Sequence, residues 1–168
     1  LSPMGLRQSA EKTRISHIDE GLDFLGWRIQ RHRKRGTDLS YVYTYPSKKA
    51  LRAVMGKVKL RCDRIDTNQP LAVLLRSLVS LLRGWTTYFR PGVSHATFHY
   101  LSHYTWQCVM RWLRRKHPKA GWRHLRRRYC QGRWWPADGR VTLFDPAAVT
   151  TTRYRYRGNK IPTPWSST

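Results

Sequence analysis

A chain of 168 residues with 40% apolar content, eight Trp and nine Tyr carries enough hydrophobic mass for one ordinary domain or two small ones, which excludes disorder throughout. Thirty-three Lys and Arg against nine acids give a formal charge of +24, a self-repulsion that a polyanion relieves, so nucleic acid is the expected partner class. No apolar run reaches the roughly eighteen residues of a membrane-crossing helix, and no membrane partner is expected.

In chain order, Lys12 to Ile18 alternates, Asp19-Glu20-Gly21 reads as a turn, and Leu22 to Gln30 has strand composition. A β-hairpin with a three-residue connection is therefore predicted. Gly26 inside the second strand relieves a bulge or lets another backbone approach. A basic loop from Arg31 to Asp38, with Gly36 at its tip, leads into a short strand from Ser40 to Tyr45. There Tyr41, Tyr43 and Tyr45 share one face, and Val42 and Thr44 the other.

Helical periodicity takes over at Pro46-Ser47. With Ser47 as N-cap, Lys48 to Arg64 places Leu51, Val54, Met55, Val58 and Cys62 on one stripe. Lys48 and Lys49 oppose the dipole of that helix's first turn, which marks them as candidate phosphate ligands. After the linker Asp66-Thr67-Asn68, Pro70 begins a second helix whose stripe is Leu71, Leu74, Leu75, Leu78, Leu82, Trp85 and Phe89. Trp85 belongs to that core stripe, whereas Tyr88 and Arg90 are free to meet a ligand. Pro91-Gly92 ends the helix and Ser94 is placed to cap a third, running to Lys116. That third helix is apolar around much of its girth, as suits a central position between two neighbours. His117-Pro118 ends it, and a last helix from about Lys119 to Tyr129 turns Trp122, Leu125 and Tyr129 inward and Arg123, Arg126, Arg127 and Arg128 outward. From Cys130 onward, Gly and Pro punctuate an irregular basic tail with a strand-like piece at Val141 to Phe144.

The chemistry is signalled by charge. Between Asp66 and Asp138 there is no acid, while thirteen Lys and Arg fall in that interval. The stretch from Leu82 to Lys116 interleaves aromatic rings with arginines, and guanidinium groups meet phosphate oxygens in bidentate geometry while rings fill a core or stack on unpaired bases. The candidate nucleic-acid contacts, which the resemblance described below assigns to RNA, are Lys48, Lys49, Arg83, Tyr88, Arg90, Arg111, Arg114, Arg115, Lys116, Arg123, Arg126 and Arg127. His95, His99 and His103 share one helix face, but a metal would need a further ligand and the acids are distant in sequence, so no metal site is expected. Asp19, Glu20 and Asp23 fall at a hairpin turn and Asp63 and Asp66 at a helix end, so no carboxylate set converges on divalent ions. Nor is there a Gly-rich phosphate loop or a nucleophile elbow. No catalytic residue and no cofactor are expected. Cys62, Cys108 and Cys130, odd in number and widely spaced, read as thiols of a reducing compartment and hence a cytoplasmic protein.

Two motifs carry a resemblance. RGWTTYFR, a Pro-Gly break, and a Phe-His-Tyr-Leu-x-His-Tyr-x-Trp segment ending in RWLRRKHP resemble the maturase-specific or thumb region of bacterial group II intron reverse transcriptases. Upstream, Glu11, Lys12, Thr13, Phe24, Leu25 and Gly26 are similar to the last palm hairpin of the same family. The resemblance spans about residues 5 to 157 and implies an α+β chain: a partial palm sheet over 1–45, a three- to four-helix thumb bundle over 46–130, and an irregular basic tail over 131–168 resembling the start of a DNA-binding region. It implies binding of group II intron RNA in support of splicing, with DNA at the intron target and the missing fingers and palm as further partners. The polymerase Tyr-x-Asp-Asp turn is absent. The alternatives are the C-terminal part of a reverse transcriptase active only with its missing fingers and palm, and a non-functional remnant of a mobile element.

Overall fold

The computed structural model describes residues 16–33, 36–130 and 134–152. A three-stranded antiparallel sheet, β1 (Leu22–Phe24), β2 (Trp27–Arg33) and β3 (Ser40–Pro46), leads into four helices: α1 (Lys48–Arg64), α2 (Leu71–Phe89), α3 (His95–Lys116) and α4 (Trp122–Cys130). A two-stranded hairpin, β4 (Ala137–Asp138) and β5 (Val141–Thr142), and a 3-10 helix at Pro146–Ala148 follow. The fold class is α+β, a small sheet followed by a helical bundle.

The helices form where apolar periodicity places them. Leu71, Leu74, Leu75, Leu78 and Leu82 of α2 are fully buried against Val54, Val58 and Cys62 of α1 and Leu101, Val109, Trp112 and Leu113 of α3, in one continuous core. Ser47 caps α1 as expected, its Oγ accepting from the Ala50 N–H at 3.1 Å. α3 packs on α1 along one side and on the 3-10 segment along another, and α2 packs on α1, the β4–β5 hairpin and the same 3-10 segment.

Four local expectations are corrected. Residues 22–30 are not one strand. Leu25 (φ 48°) and Gly26 (φ 83°) both take left-handed backbone and fold the segment into β1 and β2 about a two-residue turn, the I′ geometry that matches strand twist. Gly26 is therefore a turn residue, not a bulge. Of the strand expected over 12–18, residues 12–15 lie outside the described residues and Ser16 to Ile18 form a loop and the start of a turn. Ser94 stands at the N-cap of α3 without capping it. Its hydroxyl donates back to the Phe89 carbonyl at 2.6 Å, satisfying an orphan acceptor at the end of α2. Finally, α4 starts at Trp122, because Lys119 and Ala120 are used in a turn closed by Ala120 N–H to His117 C=O, and Gly121 accepts the first helical bonds.

Sheet and bundle are joined tightly at the Leu25-Gly26 turn. Tyr88 Oη donates to the Leu25 carbonyl at 2.8 Å, the Trp27 ring lies 4.7 Å from that of Phe89, and the Ser47 N–H donates to the Gly26 carbonyl. The α2–α3 loop closes over the same spot. Gly92 lies so near Trp27 that a Cβ there would come within 2.3 Å of the indole and 2.8 Å of the Thr44 carbonyl oxygen, and Val93 N–H donates to that oxygen. Pro91-Gly92 thus stops a helix and also seats the sheet.

Within the span expected to be an irregular tail, residues 134–152 pack on the bundle. Leu143 is buried in the core. Asp138 Oδ2 accepts from the Ala72 N–H at 2.9 Å, supplying α2 with the N-terminal cap that Pro70 cannot. Asp145 takes bonds from Ser102 Oγ and the Ala147 N–H, and the Arg90 carbonyl accepts from the Thr152 N–H. The RYRYRG segment from Arg153 lies outside the described residues.

Candidate nucleic-acid interface

Twelve side chains carry the sequence expectation, and the fold distributes them by element. α3 is amphipathic at its C-terminal end: Cys108, Val109, Trp112 and Leu113 point inward, which leaves Arg111, Arg114 and Arg115 exposed. Packing of α1 on α3 sets Lys59 beside these three arginines around a groove of about 250 Å³ that Cys62, Asp63 and Cys108 also line. On α4 the inward positions are Leu125, Tyr129 and Cys130, so Arg123, Arg126 and Arg127 face solvent.

The remaining expected contacts stand elsewhere. Lys48 and Lys49 are exposed at the first turn of α1, three turns or about 16 Å from Lys59 at the helical rise. The Arg83 guanidinium lies over the Phe144 ring at 5.8 Å, and Arg90 Nε donates to the Thr150 carbonyl at 3.1 Å. Lys116 is half-buried, its Nζ donating to the carbonyls of Thr67 and Gln69 and lying 5.6 Å from the Trp112 ring centre, so it fastens the α1–α2 linker. Tyr88 is 49% exposed, with its hydroxyl committed to Leu25.

The carboxylates explain why so many cations stay open. Every aspartate is engaged within the fold: Asp19 with Arg31, Asp23 with Arg28, Asp38 with Arg33, Asp63 with Arg115, Asp66 with the Asn68 N–H, and Asp138 and Asp145 as caps. The hydrogen bonds from Arg31 lower the Asp19 pKa, and Arg31 rises in turn. Among the described residues, Arg115 is the only expected RNA contact with a carboxylate partner, at 3.3 Å. A hydrogen bond from Cys62, joined by the Tyr104 hydroxyl and the charge of Arg111, lowers the Cys108 thiol pKa against the opposing effect of burial, while Cys62 is pushed up. All three cysteines are free and buried.

Sequence reasoning missed an aromatic cluster beside this surface. Trp106 stacks on Trp134 with centroids 5.2 Å apart and planes 8° from parallel, and meets Trp122 edge to face at 5.7 Å. The guanidinium of Arg114 lies over Trp122 at 5.9 Å and that of Arg126 over Trp134 at 5.2 Å. Its only signal in sequence was the count of tryptophans around the α3–α4 turn. His95 and His99 approach to 3.2 Å between Nε2 atoms, whereas His103 turns away and stacks on Trp106. No group of three His, Cys, Asp or Glu side chains able to hold a metal converges among the described residues.

These features define a basic helical-bundle domain with exposed cations on α1, α3 and α4. Residues 51–130, from the first turn of α1 to the end of α4, match the family model described as the group II intron, maturase-specific domain. No curated protein gives a significant match to the chain.

Proposed function

We propose that this chain binds folded group II intron RNA and supports splicing by holding the RNA in its active state, the RNA itself performing the chemistry. Preferential binding of one conformation shifts the population toward it, which is all that such a role demands. The observation that carries the proposal is the partition of charge. Each aspartate is engaged by a cap, a turn or an ion pair, leaving Arg111, Arg114, Arg123, Arg126 and Arg127 exposed and without carboxylate partners among the described residues. Bidentate guanidinium contacts to phosphate suit that arrangement. Lys48, Lys49, Arg83, Arg90 and Arg115 extend the contact, and Lys116 acts by holding the α1–α2 linker. The test is equilibrium binding of the purified chain to a folded group II intron and to an unrelated structured RNA of equal length. Clear preference for the intron is expected, and equal binding to both would remove the role.

A second reading rests on the sheet. Phe24 on one edge strand, Leu25 in the turn beside it and Val42 on the opposite edge strand are 59%, 70% and 56% exposed, apolar side chains that further protein against the sheet would cover. On this reading the chain completes a reverse transcriptase when joined by fingers and palm. Adding those parts in trans and assaying primer extension tests it, and absence of both association and extension rejects it.

A further inference from the structure

A groove between α3 and α4 is left unused by the phosphate contacts described so far. It measures about 490 Å³ and is lined by Trp106, Gln107, Met110, Arg111, Arg114 and Trp122. Its apolar part is Met110, itself nearly inaccessible, with the indoles of Trp106 and Trp122 as walls. The Trp106 wall is braced from behind: its Nε1 donates to the Trp134 carbonyl at 3.0 Å and its ring stacks on that of Trp134. Arg111 and Arg114 are exposed at the rim, and the acid of the adjoining groove, Asp63, is already paired with Arg115. Gln107 makes no side-chain hydrogen bond among the described residues, so its amide offers a free donor and a free acceptor.

From this arrangement we propose that the α3–α4 groove takes an unpaired nucleobase of RNA, with the flanking phosphates on Arg111 and Arg114. This rests on the RNA-binding role above and specifies the state of the RNA, a loop, bulge or end whose base is free to leave the stack. A phosphate alone would have no use for an indole-walled slot with a methionine floor. An apolar protein segment would gain nothing from two guanidinium groups at the rim in a region without acids. A base uses all of it: one face lies against the indole of Trp122, since Trp106 is already stacked on Trp134 and His103, its edge meets the Gln107 amide, and its phosphates reach the arginines. Paired bases in an A-form helix keep their faces stacked and cannot enter.

The experiment uses the full chain and two oligomers of equal charge, oligoadenylate and an abasic ribose-phosphate oligomer of the same length. Oligoadenylate is expected to bind about 5- to 150-fold tighter, the range that stacking of a base gives. The variant Trp122→Leu, checked for unchanged helicity, is expected to erase that difference, and Gln107→Ala to reduce discrimination between adenylate and uridylate while leaving abasic binding unchanged. Photocrosslinking of wild-type protein with a 5-iodouridine oligomer is expected to mark the peptides holding Trp106 or Trp122, which needs no variant to fold. Equal binding of the two oligomers, or adducts confined to other peptides, overturns the groove assignment, since a slot that seats protein would not sense the base. Salt-sensitive but equal binding removes the groove and leaves the RNA-binding role intact; no binding to either oligomer or to intron RNA removes both.

Discussion

Tyr88 shows how one side chain is shared between scaffold and surface. Half of it faces solvent, yet its hydroxyl holds the Leu25 carbonyl and its ring lies edge-on to Phe89 at 4.8 Å. Tyr88→Phe keeps the ring and loses the bond, so it is expected to lower unfolding free energy by about 1 kcal/mol in urea titration with RNA affinity unchanged. Tyr88→Ala is expected to lose stability further, and a drop of about 1 to 3 kcal/mol in RNA binding would assign the ring to stacking as well. His117 carries a pH dependence. Burial, then the charges of Arg128, Lys116 and His124, depress its pKa, and its Nε2 lies 2.6 Å from Tyr129 Oη. The folded state therefore binds this proton less readily than the unfolded chain, whose value is about 6.5. Stability is retained above that value and falls as pH drops through it toward the depressed folded pKa. Thermal melts at pH 7.5 and 5.5 are expected to show a decrease that shrinks in His117→Asn.

At the scale of elements, the four helices were legible because burial on one stripe leaves a period in the sequence. The α2 leucines are the clearest case: the five read as core are the five fully enclosed. What escaped was decided by partners far along the chain. Nothing in Leu25 announces left-handed backbone, and Gly26 pointed to an irregularity without saying that the strand would reverse there. Ser94 has the composition of a cap, but a nearer acceptor at the end of α2 takes its hydroxyl. Gly92 was read as a helix stop, whereas its missing Cβ matters because Trp27 arrives from a strand more than sixty residues earlier. Gly92→Ala must push the indole or the Thr44 backbone aside, and overpacking of that kind costs about 1 to 3 kcal/mol. Denaturant unfolding is expected to report that loss, whereas Gly84→Ala, where a Cβ meets nothing within 4 Å, is expected to be neutral or stabilising.

For the whole molecule, the sequence made the sign of the charge legible and hid where the cations would gather. Arg111 and Arg114 were visible as basic residues on an apolar helix, but the groove beside them exists only because the α3–α4 turn brings Trp122 back onto Trp106. With some six phosphates engaged, log affinity is expected to fall with log salt at a slope of about −4 to −5, read from binding isotherms between low and moderate salt. Surface ion pairs are worth little, so neutralising Asp63 should leave folding nearly unchanged.

Asp138 and Leu143 separate ancestry from self-sufficiency. The stretch recognisable as a maturase-specific domain stops at residue 130, yet the Ala72 amide at the start of the second helix is satisfied by Asp138, and Leu143 is buried in the hydrophobic interior, both beyond that point. A boundary drawn by kinship would cut through a cooperative unit. Anyone isolating the domain should carry the chain at least through the 3-10 helix, or risk mistaking a truncation artefact for a protein that needs RNA to fold.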